Sequence, residues 1–380
     1  MKIVIWSTAP WCATGYGKNC KYLLQALKGH DVSIMATYGL TGGMIQVNGV
    51  NVIPSNNNFW DMGHWIKYWE ERLSPDLIIQ HFDLWVVEPS FIEKWKIKTP
   101  IVSYMPVDCW PLPAQTKSSA QGVKDNIAMS KFAQEAFLEN GLPSSTYIPH
   151  TIGDNIFYQS SKEQAKKELG IDPDHFVIGI VGTNKGPRKN IPGQLLAFKK
   201  FHSINPQARL YLHTYMTGGS RNPEGIDLFG LIEDLELSGL VYFTSQDDYL
   251  AGLPDDHMRI LYTAMDILSE CSLGEGFGIP IIEAQACGTP VVGTNGSAIT
   301  EVIGRGGLTV AVAEKISWQR LGVYHDIPST DEIVSCYEQI YNDPVPFQTA
   351  ALENAQRFNF TRWKNDWNNY LEEKKWLGNQ

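Results

Sequence analysis

The stretch that decides the fold is EGFGIPIIEAQACGTPVV, residues 275–292. Within it, Pro280 suits the first turn of a helix, and Gly288 suits the C-terminal cap of the same helix. Residues 275–278 therefore form a loop that leads into a helix N-terminus, where unpaired N–H groups and partial positive charge favour phosphate oxygens. Glu283 is placed in the first turn, where its carboxylate can accept hydrogen bonds from sugar hydroxyls. The stretch predicts a site for a sugar linked to phosphates; the alternative is that its carboxylates are solvated or only balance the helix dipole.

Strand and helix patterns alternate on both sides of this stretch. One series begins with the apolar strand KIVIWST and ends with NIAMS, and a second begins with HFVIGIVGT and ends with PVVGTN. Continuous apolar strands with helices between them indicate an open parallel sheet. Two such series predict an α/β protein with two Rossmann-like domains and a cleft between them. The length of 380 residues agrees, because one hydrophobic core rarely serves more than about 300 residues.

The charge of the chain is uneven. The net charge is −10, and residues 1–150 carry 12 Lys and Arg against 12 Asp and Glu, which leaves 19 against 29 for residues 151–380. A broad basic surface is therefore not expected, and nucleic-acid binding is disfavoured. The six cysteines are widely spaced and suggest neither a disulfide framework nor a zinc cluster. Without a signal-peptide pattern or an apolar run near the ~18 residues that span a bilayer, we expect a cytoplasmic protein with at most peripheral membrane contact.

Several segments carry a resemblance to a known family. The longest, LYTAMDILSECSLGEGFGIPIIEAQACGTPVVGTNGSAITEVI, resembles the donor-site signature of the family 4 retaining glycosyltransferases, also called glycosyl transferases group 1. GYGKNCKYLLQALKGHDVSI and IPHTIGDNIF are similar to further segments of this family, and RWKNDWNNYL is similar to its terminal helix. The resemblance implies the GT-B fold, with an acceptor domain over residues 1–155, a nucleotide-sugar donor domain over 156–355, and a C-terminal helix over 356–380 that crosses back to the first domain.

The resemblance also implies roles for the residues of the opening stretch. Glu283 would bind the ribose hydroxyls of a nucleotide sugar, and Glu275 would act next to the transferred sugar as a catalytic residue. Gly276, Phe277 and Gly278 would place their backbone near the sugar hydroxyls and the diphosphate. The co-substrate would be a UDP- or GDP-linked sugar, and no cofactor is implied.

A basic cluster follows the first strand of the second series, in NKGPRKN. Fixed cations such as Lys185, Arg188 and Lys189 can stabilise the charge of a departing diphosphate without a metal. By the resemblance, Lys189 takes the position of the family's phosphate-binding lysine, a catalytic and donor-binding role. Asn184 stands where the family has an arginine, and Arg188 or Lys185 is the candidate replacement. The alternative for this cluster is a solvated basic turn.

The first domain contains a glycine loop, TGYGKN, in which Gly15 and Gly17 allow close approach of a ligand to the backbone. The loop lacks the third glycine of a dinucleotide fingerprint, which speaks against NAD. The resemblance implies that Gly15 and Gly17 face the donor phosphates and the acceptor.

PIVSYMPVDCWPLP resembles the family segment in which a strand ends in His-Asp. Val107 takes the histidine position, and Asp108 keeps the aspartate and is a catalytic candidate. His81 and Asp83, at the end of the preceding strand, are candidates for polar groups in the same place. The alternative for His81 is a structural role.

The resemblance implies a retaining, metal-independent transfer of a hexose from a nucleotide sugar to an acceptor hydroxyl. No metal ligands are predicted, because the acidic pairs 247–248 and 255–256 fall in polar turn sequence. The acceptor is a glycan, a lipid-linked saccharide or a small molecule. Two alternatives stay open: an epimerase of the same fold, and a sugar-nucleotide binding module without turnover. The base, the sugar and the linkage are not assigned.

Overall fold

The computed structural model describes residues 1–55, 62–143, 146–153, 155–219, 222–317 and 321–374. The chain divides into two compact units: unit 1 comprises residues 1–151, 318–323 and 360–380, and unit 2 comprises residues 152–317 and 324–359. The predicted domain limits at 155 and 355 lie a few residues from these unit limits, and the assignment of 318–323 to unit 1 has no counterpart in the prediction. Residues 58–61, the start of the segment NFWDMGHWIKYWEERL that the sequence predicts as a helix, and 375–380, in the predicted terminal segment, lie outside the described residues.

The strands and helices are numbered along the chain. The strands are β1 Lys2–Ser7, β2 Asp31–Ala36, β3 Ile45–Val47, β4 Val50–Pro54, β5 Leu77–Gln80, β6 Ile101–Met105, β7 Asp125–Ala128, β8 Phe176–Val181, β9 Ala208–His213, β10 Val241–Phe243, β11 Ile267–Glu270, β12 Val291–Thr294, β13 Gly307–Val310, β14 Val312–Ile316 and β15 His325–Pro328. The helices are α1 Gly15–Ala26, α2 Met62–Leu73, α3 Phe91–Trp95, α4 Ala114–Gln121, α5 Lys131–Glu139, α6 Lys162–Glu168, α7 Ile191–Ile204, α8 Leu228–Asp234, α9 Gln246–Ala251, α10 Asp255–Ala264, α11 Ile279–Ala286, α12 Ile299–Ile303, α13 Thr330–Asn342, α14 Pro344–Ala355 and α15 Phe360–Glu373.

Unit 1 contains a seven-stranded sheet with the order β3-β4-β2-β1-β5-β6-β7. The predicted parallel arrangement is confirmed for every pair except β3 with β4, which is antiparallel. The strands β3 and β4 were not predicted; the residues of β3 are mostly exposed and give no apolar run. The chain moves outward from β1 to β4 and then returns to β5 on the other side of β1. The loops after β1 and β5 therefore lie at the point where the strand order reverses, which is where open α/β sheets bind ligands.

Unit 2 contains a six-stranded parallel sheet with the order β10-β9-β8-β11-β12-β13. Here the strand order reverses between β8 and β11. The loops after these two strands, residues 182–190 and 271–278, begin side by side at the carboxyl edge of the sheet. They carry the predicted basic cluster and the predicted glycine loop, so the topology of the sheet brings two distant parts of the sequence together.

The last helix, α15, belongs to unit 1, which confirms the predicted return of the C-terminal helix to the first domain. It buries Trp363 and Trp367, and the Trp367 ring packs on Tyr104 of β6 with 5.3 Å between ring centroids. Near its end, the Tyr370 hydroxyl donates a hydrogen bond to Asp125 Oδ2 of β7 at 3.1 Å. The apolar face that the sequence placed on this helix is thus covered by the sheet of unit 1.

Two other predictions concern helices. The acidic pairs 247–248 and 255–256 lie in the first turns of α9 and α10 and not in turns of polar sequence. Acidic side chains at these positions match the positive end of a helix dipole, which the prediction overlooked. Among the described residues, no helix has both the length and the apolar character required to cross a membrane.

Candidate functional site

The glycine loop of unit 2 enters α11 as the sequence predicts. Gly278 has φ of 93°, in the left-handed region that favours glycine, and Pro280 lies in the first turn of α11. The helix ends at Ala286 with Cys287 as its C-cap, and Gly288, with φ of 81°, follows the cap. The prediction that Glu283 lies in the first turn is wrong, because a turn takes about 3.6 residues and the helix begins at Ile279.

Glu283 instead lies in the second turn of α11, where it is buried. Its Oε2 accepts a hydrogen bond from the Tyr262 hydroxyl of α10 at 2.8 Å. Burial, followed by the neighbouring Glu283 carboxylate, raises the pKa of Tyr262 well above its ordinary value, so the phenol keeps its proton and stays the donor. The orientation of the Glu283 carboxylate is therefore fixed by a neighbouring helix.

The basic cluster after β8 meets the glycine loop directly. Lys189 Nζ lies 2.8 Å from Glu270 Oε1 and 2.9 Å from Glu275 Oε1, and the lysine side chain is only 9% exposed. Arg188 Nη1 donates hydrogen bonds to the same Glu275 oxygen and to the Gly274 carbonyl, the latter at 3.0 Å. Interpretation of this segment as a solvated basic turn is therefore wrong for Lys189, which is buried between two carboxylates.

The electrostatics of this cluster follow from burial and close opposite charges. Burial alone would raise the pKa of Glu275, but Arg188 and Lys189 outweigh it and lower that pKa to about 2. Burial would lower the pKa of Lys189, yet the attraction of Glu270 and Glu275 raises it. Glu275 is therefore a carboxylate and Lys189 an ammonium at neutral pH.

Glu270, the last residue of β11, is part of this cluster and was missed by the sequence analysis. It is 1% exposed, and its Oε1 accepts hydrogen bonds from Lys189 and from the Ser272 hydroxyl, the latter at 2.6 Å. Its Oε2 is buried without a hydrogen-bond partner among the described residues. Burial raises the pKa of Glu270 more than the attraction of Lys189 lowers it. A carboxylate at the carboxyl end of the predicted strand DILSEC, just before the glycine loop, was the available signal.

The two candidates for the absent arginine differ in their surroundings. Lys185 is exposed and pairs with the exposed Glu224 at 3.3 Å, an arrangement that contributes little. Asn184 itself donates to the carbonyls of Tyr215 and Ile226 at 2.9 and 2.7 Å and so holds the segment after β9 to this loop. Of the two candidates, only Arg188 joins Lys189 at the Glu275 carboxylate.

The rest of the glycine loop is packed in unit 2. Phe277 is 3% exposed, and its ring contacts Phe358 with 5.6 Å between centroids. The Glu275 backbone N–H donates to the Ser297 hydroxyl oxygen at 3.0 Å. Gly276 and Gly278 flank Phe277, and the Glu275 carbonyl accepts from the Ala298 N–H at 3.3 Å, so a buried ring and backbone hydrogen bonds anchor the loop.

In unit 1, Gly15 and Gly17 lie in the first turn of α1, so the segment that the sequence predicts as a glycine loop is already helical at these two residues. Thr14 is the reason, because its hydroxyl oxygen caps the helix by accepting from the Gly17 N–H at 3.0 Å. A side chain at Gly17 would place Cβ only 2.2 Å from the Cys12 carbonyl oxygen. The packing of the loop on the helix thus explains Gly17 without a ligand.

His81 and Asp83 follow β5 in unit 1. His81 is fully buried, its Nδ1 lies 3.1 Å from the Ser7 hydroxyl oxygen, and its ring stacks on Tyr104. Burial lowers the pKa of His81 to about 3, so the ring is neutral and its packing matches the structural interpretation. Asp83 Oδ2 accepts a hydrogen bond from the Tyr16 hydroxyl of α1 at 2.6 Å.

Asp108 lies half-buried in the loop after β6, and Val107 beside it is buried. Three tryptophans on loops after β1, β5 and β6 are exposed: Trp11 by 45%, Trp85 by 43% and Trp110 by 40%. Because parallel strands end at one edge of a sheet, Asp108 and these indoles belong to the same edge of unit 1. Indole faces of this kind are apolar surfaces with a polar N–H at their rim.

Two Rossmann-like units, with the last helix in the first unit, are the architecture of the GT-B fold. A sucrose-phosphate synthase from Thermosynechococcus elongatus shares this fold with a TM-score of 0.75 and 17% identity over 98% of each chain. HepE from Anabaena, solved with UDP and glucose, has a TM-score of 0.73 and 18% identity over 98% of this chain and 100% of its own. At these identities the likeness shows the fold alone.

Residues 161–324 match the family model of the glycosyl transferases group 1. D-inositol 3-phosphate glycosyltransferase of Segniliparus rotundus is 32% identical over 170 residues, which are 45% of this chain and 34% of the relative. O-antigen chain mannosyltransferase B of Escherichia coli is 35% identical over 128 residues, which are 34% of this chain and 31% of the relative. The match thus spans about a third of each of these curated relatives. The resemblance to the group 1 glycosyltransferases that was stated from the sequence is confirmed over residues 161–324.

Proposed function

We propose that this protein transfers a hexose from a UDP- or GDP-linked sugar to an acceptor hydroxyl, with retention at the anomeric carbon and without a metal ion. The observation that carries the proposal is the buried contact of Lys189 and Arg188 with Glu275, at the strand-order reversal of unit 2. It brings two fixed cations to the loop that enters α11. Such a loop is the place where an α/β sheet binds phosphorylated ligands.

Lys189 and Arg188 have the chemistry to stabilise a leaving diphosphate. The negative charge on the diphosphate grows as its bond to the sugar breaks, and preorganised cations in a dry site stabilise that charge most strongly. Gly278 is the N-cap of α11 and has no side chain that could cap the helix. In this proposal the backbone N–H groups of the first helical turn donate hydrogen bonds to the phosphate oxygens. The diphosphate in this proposal lies between the cations and the helix N-terminus.

The two glutamates of the stretch have different roles in this proposal. Glu283, held by Tyr262, binds the ribose hydroxyls. Glu275 accepts hydrogen bonds from hydroxyls of the transferred sugar. With its pKa lowered to about 2 by Arg188 and Lys189 against the opposing effect of burial, Glu275 is a very weak base at neutral pH. The proton of the acceptor hydroxyl therefore goes to the leaving phosphate, as front-side attack with retention requires, and Asp108 is assigned to the acceptor side.

The acceptor in this proposal is a saccharide, either free or lipid-linked, or another small molecule with a free hydroxyl. The exposed indoles of Trp11, Trp85 and Trp110 support a saccharide, because a sugar ring presents an apolar face that matches an aromatic one. All six cysteines lie among the described residues and are free thiols, which supports a reducing, cytoplasmic location.

The experiment that tests the function uses radiolabelled UDP- and GDP-hexoses, with and without a panel of saccharide acceptors. We expect label to move to an acceptor, and the anomeric configuration of the product, determined by NMR, to equal that of the donor. Formation of an epimeric nucleotide sugar without acceptor would show an epimerase. Donor binding without turnover on any acceptor would show a binding module.

We expect transfer to be unchanged, within about twofold, after exhaustive treatment with EDTA. The reason is that Lys189 and Arg188 already supply the positive charge that a metal ion would bring to the diphosphate. The measurement is the initial rate before and after chelation. Loss of the activity, with recovery on addition of Mn²⁺ or Mg²⁺, would contradict metal independence.

We expect Glu283→Gln to weaken nucleotide binding by roughly 10- to 150-fold, since a charge-assisted hydrogen bond is worth about 1.5–3 kcal/mol. Calorimetric titration with UDP and GDP measures the effect. The matched control is Tyr262→Phe, which removes the hydroxyl that holds the carboxylate but keeps the carboxylate, and should weaken binding less.

The same titration with 2′,3′-dideoxynucleotides identifies the group that Glu283 contacts. The wild type should prefer the ribose form, and Glu283→Gln should bind both forms about equally. Unchanged preference for ribose in the folded variant would show that Glu283 does not bind the ribose hydroxyls.

A further inference from the structure

The charge balance around Lys189 leads to an inference that rests on the proposed function and deepens it. We propose that Glu270 is a positioning residue of the donor site, which holds the Lys189 ammonium in the empty enzyme and takes up one proton from solvent when the diphosphate of a nucleotide sugar binds beside Lys189.

The charged side chains of this site balance one another. Two cations, Arg188 and Lys189, face two carboxylates, Glu270 and Glu275, and all four side chains lie within one chain of contacts. Lys189 is the shared member, because its ammonium contacts both carboxylates. A buried site with equal numbers of positive and negative charges avoids the cost of an uncompensated ion, which amounts to several kcal/mol.

A diphosphate changes that balance. Its charge is added next to Lys189 and Arg188, so the buried cluster acquires an excess of negative charge. Either the ligand binds weakly or one carboxylate becomes neutral by protonation, and the second outcome removes the repulsion. Binding of the donor therefore favours uptake of a proton.

Glu270 is the carboxylate that the geometry selects. Glu275 has two cationic partners, Arg188 and Lys189, whereas among the described residues Glu270 pairs with Lys189 and otherwise accepts from the Ser272 hydroxyl. The Glu270 Oε2 atom is buried and has no hydrogen-bond partner in the described part of the chain, so the negative charge on that atom is the least stabilised in the cluster.

The other titratable groups near Glu270 do not compete for the proton. Tyr262 of α10 and Cys271, the next residue in the chain, both sense the Glu270 charge. Burial raises the pKa of each above its ordinary value, so both groups are already protonated and neutral. Lys189 is an ammonium and Glu275 is kept ionised by its cations, which leaves Glu270 as the acceptor.

The step is balanced in atoms and charge. A proton from solvent forms an O–H bond at Glu270 Oε2, and no covalent bond breaks in the protein. The Lys189 ammonium keeps its three hydrogens and donates one hydrogen bond to a phosphate oxygen in place of one to a carboxylate. Release of the diphosphate reverses the step and returns the proton.

Calorimetry of the full chain with UDP-glucose or GDP-mannose tests the inference, because the phosphodiester groups of these donors do not titrate near neutral pH. Titration at each pH from 6 to 9 in two buffers of different ionisation enthalpy gives the number of protons taken up. We expect uptake that approaches one proton as the pH rises, with affinity falling about tenfold per pH unit in that range.

Two conservative variants identify the acceptor. Glu270→Gln should bind the donor without proton uptake and with an affinity that no longer depends on pH. Glu283→Gln is the matched control, since it alters a carboxylate of the same unit that lies outside this four-charge cluster, and it should retain the uptake at its lower affinity. Thermal unfolding of both variants checks that they fold, and the wild-type measurement decides the inference even if a variant does not.

The outcomes distinguish failure of the proton-uptake inference from failure of the proposed function. Donor binding by the wild type without proton uptake, or uptake that persists in folded Glu270→Gln, overturns the inference and leaves the donor site standing. Failure of the wild type to bind any of the UDP-, GDP-, ADP- or dTDP-sugars overturns the proposed function, and the inference falls with it.

Discussion

Lys189→Met lowers turnover by about 10²- to 10³-fold, the usual effect of removing one preorganised group that stabilises charge in a transition state. The Michaelis constant of the donor changes much less, because the charge that Lys189 meets is largest when the phosphate leaves. Steady-state kinetics with both substrates varied give the two constants. An effect confined to the Michaelis constant would mean that Lys189 binds the ground state and the transition state equally.

The stability of this variant needs its own control. Lys189→Met leaves Glu270 buried without its cation, and removal of one partner from a buried ion pair costs about 3–5 kcal/mol. The double variant with Lys189→Met and Glu270→Gln removes both charges while Glu275 keeps Arg188. We expect the double variant to recover most of the free energy of unfolding and none of the turnover, which separates loss of chemistry from loss of fold.

Deletion of residues 360–380 unfolds unit 1 although the deleted segment follows unit 2 in the sequence. The helix α15 buries Trp363, Trp367 and Tyr370 in unit 1. Truncation of one buried tryptophan costs about 3–5 kcal/mol, and a whole domain is stable by only about 5–15 kcal/mol. Loss of the helix therefore exceeds what unit 1 can tolerate.

Hydrogen exchange resolved along the chain measures this effect. Protection should be lost in residues 1–151 and kept in 152–359. Trp367→Ala should give a partial loss in the same region, whereas Asn365→Ala, at an exposed position of the same helix, should change little. Loss of protection confined to residues 152–359 would show that the stability of unit 1 does not depend on α15.

The sequence predicts the features that depend on long patterns. Strands such as β1 and β6 are continuous apolar runs, and the stretch around α11 combines a glycine loop, Pro280 and Gly288 in one order that few other structures require. The terminal helix was also predictable, because its buried aromatic residues recur with helical spacing.

Features that depend on contacts between distant segments were not predictable. Glu270 is one residue in a short strand, and only the pairing of β8 with β11 places it against Lys189. The choice between Lys185 and Arg188 depends on the course of one turn, which carries no periodic pattern. Likewise, Gly17 looks like a ligand-contact glycine in the sequence, while the close approach of the Cys12 carbonyl gives it a packing role.

The division of unit 1 into separate stretches of sequence bears on how the protein is made. Residues 152–359 stand between the two main parts of unit 1, and at their ends the Ile152 N–H donates to the Phe358 carbonyl at 3.0 Å. A ribosome adds about 5–20 residues each second, and domains fold as units while the chain emerges. Most of unit 2 can therefore fold during synthesis. The sheet of unit 1 is synthesised earlier, but it is covered and stabilised only after α15 has been synthesised. The half of the protein that is translated first is the half that is completed last.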